Sequence, residues 1–88
     1  MKLNERLKKV LDNSGLSNPK LEEKTGIKRE NWSALRNGRT RVNEDHIEAI
    51  NNLWPEYAFW ITTGNTIPEA GQISPELEEQ RQKLRKAG

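Results

Sequence analysis

The sequence of 88 residues contains no cysteine and only one histidine. Without cysteine the chain can form neither a disulfide nor a thiolate metal site, and this composition is compatible with a reducing compartment. His46 has no second histidine with which to share a metal ion, so we expect it to have a surface or capping role. We therefore expect no metal and no other cofactor.

Long hydrophobic runs are also absent, and none approaches the ~20 residues that a membrane-spanning helix needs. The first residues, "MKLNERLKKVLDN", alternate charged and apolar side chains and resemble neither a signal peptide nor a transit peptide. We expect a soluble, cytoplasmic protein that has no membrane partner. The sequence shows no nucleophile–base pair, carboxylate dyad or phosphate-binding glycine loop, and a domain of this size has little room for a large cavity. We therefore do not expect an enzyme.

Charge is distributed unevenly along the chain. Residues 1–41 contain eleven lysines and arginines against five acidic residues, whereas residues 42–88 contain four against eight. This asymmetry favours one face directed at a polyanion and another turned away from it. Two solvated surfaces of different sign are the alternative that charge alone leaves open.

Helical periodicity dominates the chain, and no segment alternates as a half-buried strand would. Three helix starts share the spacing of a hydrophobic staple, in which an apolar residue before the cap is repeated five positions later. These pairs are Leu16 and Leu21, Ile27 and Trp32, and Val42 and Ile47. A first helix with an apolar stripe precedes them, and a fifth helix is predicted from Pro55 to a stop at Gly64.

The predicted fold is all-α: a five-helix domain with an extra C-terminal helix. We assign residues 1–64 to the five-helix domain, residues 65–74 to a linker because of the composition of "NTIPEAGQI", and residues 75–88 to a C-terminal helix or tail. Acidic residues in the first turn of that last helix and basic residues near its end complement its dipole.

The second and third helices are joined by the short turn "KTGIK", which is typical of a helix-turn-helix whose second member enters the major groove of DNA. Projection of the third helix places Trp32 and Leu35 on the core side. Small and polar side chains lie on the opposite side, where they suit a groove about 12 Å wide. Cations that suit phosphates surround this face, namely Lys28, Arg36, Arg39 and Arg41.

The segments "SNPKLE" and "GIK", followed by Trp32, Leu35 and "NG", resemble the lambda-repressor-like (Cro/repressor-type) helix-turn-helix family. The stretch "WPEYAFWITTGNTIPEAGQISPE" is similar to the tails of small phage-type regulators in that family. The resemblance implies that residues 1–64 form a helix-turn-helix DNA-binding domain. It implies a phosphate contact at Asn18, at the start of the second helix. It also implies that the base-contacting positions fall on Arg29, Glu30, Ser33 and Ala34.

Four positions depart from the family pattern. Glu22 stands where alanine is usual, Thr25 replaces an apolar residue, Lys28 replaces a Ser/Thr cap, and Trp32 is larger than the usual Ile or Val. Because a buried and unpaired carboxylate would be costly, we expect Glu22 to reach solvent or a nearby Arg or Lys.

The aromatic residues of the fifth helix predict a second interaction. The inner stripe is predicted to hold Trp54, Tyr57, Ala58 and Ile61, which leaves Phe59 and Trp60 to be covered by the C-terminal segment or by a second subunit. In the family this helix commonly contributes to a two-fold dimer. We therefore assign Phe59 and Trp60 to a dimer interface.

The leading hypothesis is a repressor-like transcriptional regulator that binds a two-fold operator in double-stranded DNA as a homodimer. One alternative is an antitoxin-type autorepressor whose C-terminal segment holds a protein partner, a toxin. The other is a protein–protein adaptor in which the helix-turn-helix is only a scaffold. The cationic ring around the third helix argues against the adaptor.

Overall fold

The computed structural model describes residues 1–87, and helices are the only regular elements within that range apart from one isolated bridge between Ile67 and Gln72. This confirms the predicted all-α fold class. The helices are α1 (Leu3–Ser14), α2 (Asn18–Thr25), α3 (Arg29–Arg36), α4 (Glu44–Leu53), α5 (Ala58–Thr63) and α6 (Pro75–Ala87). Single 3₁₀ turns cover Pro55–Tyr57 and Pro68–Ala70.

The helix boundaries follow local capping signals. The Ser17 hydroxyl accepts a hydrogen bond from the backbone N–H of Lys20, at 3.3 Å, and begins α2. Gly26 ends α2 with a φ of 78°, in the left-handed region that favours glycine. The Lys28 side chain makes no capping hydrogen bond, so α3 starts without one. Its position therefore depends on tertiary contacts.

One hydrophobic cluster joins all six helices or the segments beside them. Trp32 of α3 is fully buried in it, and its ring lies 5.4 Å from that of His46 on α4, centroid to centroid. The cluster consists of Leu7, Val10, Leu11, Leu21, Trp32, Leu35, Ile50, Tyr57, Trp60, Ile61 and Ile73. Helix α3 is thus anchored along its inner side.

The aromatic helix differs from the prediction at Trp60, which is only 6% exposed and belongs to the core. Trp54 lies before Pro55 with a φ of −134° and a ψ of 70°, so it is not in register with the helix that follows. The buried stripe therefore runs through Tyr57, Trp60 and Ile61, at i, i+3 and i+4. Trp60 is accordingly moved from the expected dimer interface to the core, whereas Phe59 is half-buried.

The segment expected to be a linker packs against the domain. The Gln72 side chain accepts a hydrogen bond from the N–H of Phe59 (2.9 Å) and donates one to the carbonyl of Pro55 (3.1 Å). Ile73 is buried, and α6 begins beside α1, where Lys9 pairs with Glu76. From residue 79 to residue 86, α6 is exposed, and Leu84 keeps 72% of its surface in solvent.

Among the helices of residues 1–87, none combines the length and the apolar character needed to cross a membrane.

Candidate nucleic-acid interface

The turn between α2 and α3 is held by hydrogen bonds to one hydroxyl group. Thr25 Oγ1 donates to the carbonyl of Leu21 (2.6 Å) and accepts from the N–H of Ile27 (3.2 Å) and from the indole Nε1 of Trp32 (3.3 Å). Thr25 and Trp32, two of the departures from the family pattern, thus contact each other. Together they connect the end of α2 to the buried side of α3.

The outer side of α3 and the start of α2 form one open, concave surface, which we call the recognition surface. It is lined by Asn18, Pro19, Arg29, Glu30, Ser33, Ala34 and Arg39. The structure therefore brings together the four residues expected to contact bases, the residue expected to contact a phosphate at the start of α2, and one of the expected cations. Their roles toward DNA stay predictions.

Arg29 and Glu22 form an ion pair at the edge of this surface. Glu22 Oε1 lies 2.8 Å from Nε and 2.7 Å from Nη2 of Arg29. The hydrogen bond from Arg29 lowers the pKa of the Glu22 carboxyl, desolvation opposes this, and the positive charge of Arg29 lowers the pKa further. The expectation that Glu22 finds solvent or a basic partner is confirmed.

Arg39 is less constrained than Arg29, the other arginine of the recognition surface. Its Nη2 lies 3.5 Å from the hydroxyl of Ser33, which is long for a hydrogen bond, and its side chain is exposed. Lys28 and Arg41 are exposed as well. These three side chains keep donors that a polyanion can use.

A second shallow concavity lies beside the recognition surface and includes a cation that the sequence did not single out. It is lined by Lys2, Leu3, Asn4, Gly38, Arg39, Thr40, Arg41 and Val42. Lys2 and Arg41 are far apart in the sequence, and no motif links the start of α1 to the loop after α3. Only the packing of α1 could have revealed Lys2 as a neighbour of these arginines.

Arg36, predicted to contact a phosphate, lies on the other side of α3. Its Nη1 donates to Asn18 Oδ1 at 2.6 Å, and its Nη2 donates to the carbonyls of Leu11 (3.0 Å) and Leu16 (2.9 Å). Its Nε lies 3.4 Å from Asp12 Oδ1, and 18% of the side chain is exposed. The guanidinium already donates hydrogen bonds to these acceptors. The prediction that Arg36 contacts a phosphate is therefore corrected, because Arg36 links α1, α2 and α3 within the fold.

His46 supports α3 from beneath. The ring Nδ1 of His46 accepts a hydrogen bond from the backbone N–H of Asn43 (3.2 Å), and the backbone N–H of His46 donates to Asn43 Oδ1 (3.0 Å). The capping role is confirmed, at a position that is 2% exposed rather than at the surface. Burial lowers the pKa of the imidazole, and the nearby Asp45 carboxylate partly offsets this. Among the described residues, no group of three or more His, Asp or Glu side chains could hold a metal ion.

Comparison with known families decides the class to which this helix-turn-helix belongs. The family model described as "Cro/C1-type HTH DNA-binding domain" matches residues 6–53, more than half of the chain. The chain belongs to this family. The match contains α2, α3 and the turn that joins them, together with most of the buried residues beneath them.

A solved structure extends the similarity beyond the family domain. The chain is similar to Pf6r from the filamentous phage Pf6 of Pseudomonas aeruginosa PA01, with 28% identity and a TM-score of 0.77 over 86% of this chain and 97% of that one. Since residues 1–64 make up less than 86% of the chain, the shared fold includes part of the C-terminal segment. No curated protein matches the chain.

Proposed function

We propose that this Cro/C1-type protein is a sequence-specific transcriptional regulator that inserts α3 into the major groove of an operator. The observation that carries the proposal is the recognition surface itself. Its polar residues and its two arginines share one open face, while buried Trp32 and Leu35 hold the opposite side of the same helix. Such a helix can enter a groove without being displaced from its own domain. We assign no catalytic step to the chain.

The chemistry of the recognition surface suggests a role for each residue. Arg29 suits the O6 and N7 acceptors of guanine, and Glu30 suits the N4 donor of cytosine. Ser33 can take part in hydrogen bonds to several bases, and Ala34 suits the methyl group of thymine. These four contacts would supply the sequence preference of one half-site.

Phosphates would be contacted by the exposed cations Lys28, Arg39 and Arg41, to which the structure adds Lys2 as a neighbour. Asn18 keeps its predicted phosphate contact for a further reason. Its Oδ1 already accepts from Arg36, which leaves the amide Nδ2 to donate to a phosphate oxygen.

We further propose a homodimer on a two-fold operator, located in the cytoplasm with its DNA. One α3 offers few base contacts, so a second half-site is needed for useful affinity and specificity. Phe59 remains the candidate for the interface because it is half-buried on α5 and lies outside the core cluster. Sedimentation of Phe59→Glu should show loss of the dimer with the fold intact, whereas Trp60→Glu should unfold the domain because Trp60 is buried.

The antitoxin hypothesis is supported by one observation, the exposed part of α6. Residues 79–86 of this helix are exposed and include Leu84, a large apolar side chain in solvent. A protein partner could cover this segment while the recognition surface remains available to DNA. Deletion of residues 79–88 should then abolish capture of that partner and leave operator binding unchanged.

Selection of bound duplexes from random DNA tests the main proposal. We expect enrichment of a sequence with two-fold symmetry that contains a guanine–cytosine pair in each half, bound by two protein chains. Absence of any enriched sequence would overturn the proposed function. Enrichment of a single half-site bound by one chain would overturn only the dimer.

A further inference from the structure

One carboxylate oxygen of Glu22 contacts two nitrogens of Arg29: it accepts a hydrogen bond from Nε and forms the ion pair with Nη2. These two nitrogens form the lateral edge of the guanidinium. Nη1 makes no hydrogen bond with any of the residues in the described range, 1–87. The end of the guanidinium, where Nη1 and Nη2 point away from the side chain, is therefore open.

This open end is the part of arginine that matches guanine. Two parallel N–H donors at the end of the side chain suit the O6 and N7 acceptors in the major groove. A carboxylate on the lateral edge does not obstruct that approach. It instead limits rotation about the last bonds of the arginine side chain, and a long flexible side chain otherwise loses rotamer freedom on binding.

The carboxylate is itself well placed to act as a fixed support. Glu22 follows Leu21, which is fully buried, near the middle of α2, and its side chain is only partly exposed. Arg29 begins α3, seven residues later on the other side of the turn. The pair thus links the orientation of Arg29 to α2, which is anchored in the core by Leu21.

We propose that Glu22 is a positioning residue for base recognition, which holds Arg29 with its Nη1–Nη2 end directed at a guanine. This inference rests on the proposed function, because it names the residue that sets specificity at one base pair. It also gives a role to the position at which this chain departs from the alanine of the family pattern.

A different role for Glu22 predicts the opposite result. If the carboxylate merely competes with DNA for Arg29, its removal should free the arginine and sharpen the preference for guanine. If the carboxylate orients the arginine, its removal should weaken the preference for guanine. Loss of a negative charge near DNA raises affinity for all sequences in both cases, so total affinity does not discriminate between them and base preference does.

The experiment measures the dissociation constants of Glu22→Ala and Glu22→Gln on the selected operator and on all of its single-base variants. The matched control is Glu23→Ala, which removes the same charge one residue away, where the carboxylate pairs only with Lys20 among the described residues. Arg29→Ala identifies the base pair that Arg29 contacts. Thermal unfolding shows that each variant is folded, and Glu22→Gln, which keeps the side-chain volume, carries the test if Glu22→Ala does not fold.

We expect Glu22→Ala to reduce the preference for guanine at that one base pair by about threefold to tenfold. The preferences at the other positions should be unchanged. Glu22→Gln, which can still accept a hydrogen bond but has no charge, should reduce the preference for guanine less than Glu22→Ala does. Glu23→Ala should raise affinity for all sequences without altering any preference. Addition of Glu22→Ala to Arg29→Ala should cause no further loss of preference.

An unchanged or sharper preference in the folded Glu22 variants would overturn the positioning role. In that case a loss of preference in Arg29→Ala would still support the proposed function. If the wild-type protein prefers no sequence, the proposed function fails, and the inference that depends on it fails as well.

Discussion

Arginines lie on the inner side of α3 and on the recognition surface, and the fold leaves them in different states. On the inner side, Arg36 is surrounded by acceptors, namely the carbonyls of Leu11 and Leu16 and the side-chain oxygen of Asn18. Just beyond the end of α3, on the recognition surface, Arg39 has no such set of acceptors and stays exposed. A count of cations therefore does not identify an interface. An arginine is available to DNA only where the fold has not already used its donors.

The largest expected effect concerns the inner side. Arg36→Ala should lower the free energy of unfolding by about 2–3 kcal/mol, because it leaves the partly buried Leu16 carbonyl and Asn18 Oδ1 without a donor. Denaturant titration measures this, with Arg39→Ala as the matched control that should change stability by less than about 0.5 kcal/mol. Equal stabilities for the two variants, with equal loss of DNA binding, would place Arg36 with the outer side.

Arg29→Ala, on the outer side, should cost about 1–3 kcal/mol on the selected operator. It should relax the preference at one base pair per half-site and leave non-specific binding nearly unchanged, since phosphate contacts remain. Glu30→Ala should instead raise non-specific affinity, because a negative charge is lost, while discrimination falls. Binding profiles across single-base operator variants measure both effects. Wild-type preferences in both variants would show that α3 does not contact the bases.

The loop after α3 should show an effect without sequence preference. Arg39→Ala and Arg41→Ala should each weaken binding to all DNA about equally and reduce the slope of log K against log salt by about one. Binding isotherms at several salt concentrations, on the operator and on unrelated DNA, measure the slopes. A loss confined to one base pair would mean that the residue contacts a base rather than a phosphate.

The smallest effect concerns the support beneath α3. Because burial lowers the pKa of His46 from its ordinary value of 6.5, the folded state favours the neutral imidazole. Stability that is present above pH 6.5 should therefore fall as the pH drops below that value toward the folded-state pKa. The carboxyls with lowered pKa, Glu22 and Glu76, start from 4.5, so their contribution is lost only at lower pH.

Thermal melts between pH 7.5 and 5 test this. The wild type should lose stability below pH 6.5, and His46→Gln should be less stable at pH 7.5 but should depend less on pH. An identical pH dependence in the two proteins would show that His46 does not titrate there.

The sequence by itself determined the features that depend on neighbours along the chain. Helix starts and stops follow from caps, glycines and staples, and the outward face of α3 follows from the helical period. For the same reason the sequence predicts which residues of α3 share the recognition surface, namely Arg29, Glu30, Ser33 and Ala34. The short turn between α2 and α3, with its resemblance to the Cro/repressor pattern, indicated the family that the comparison confirmed.

Only the tertiary structure decided which polar and aromatic groups were already occupied. The partners of Arg36 lie 18 to 25 residues away, those of Gln72 lie 13 to 17 residues away, and Lys2 meets the loop after α3 through the packing of α1. The assignment of Trp60 to a dimer interface is wrong because it continues one helical period from Trp54 through Pro55, where the backbone departs from helical geometry. Periodicity gives the direction of a side chain, but the donors and acceptors that it meets there come from elements distant in sequence.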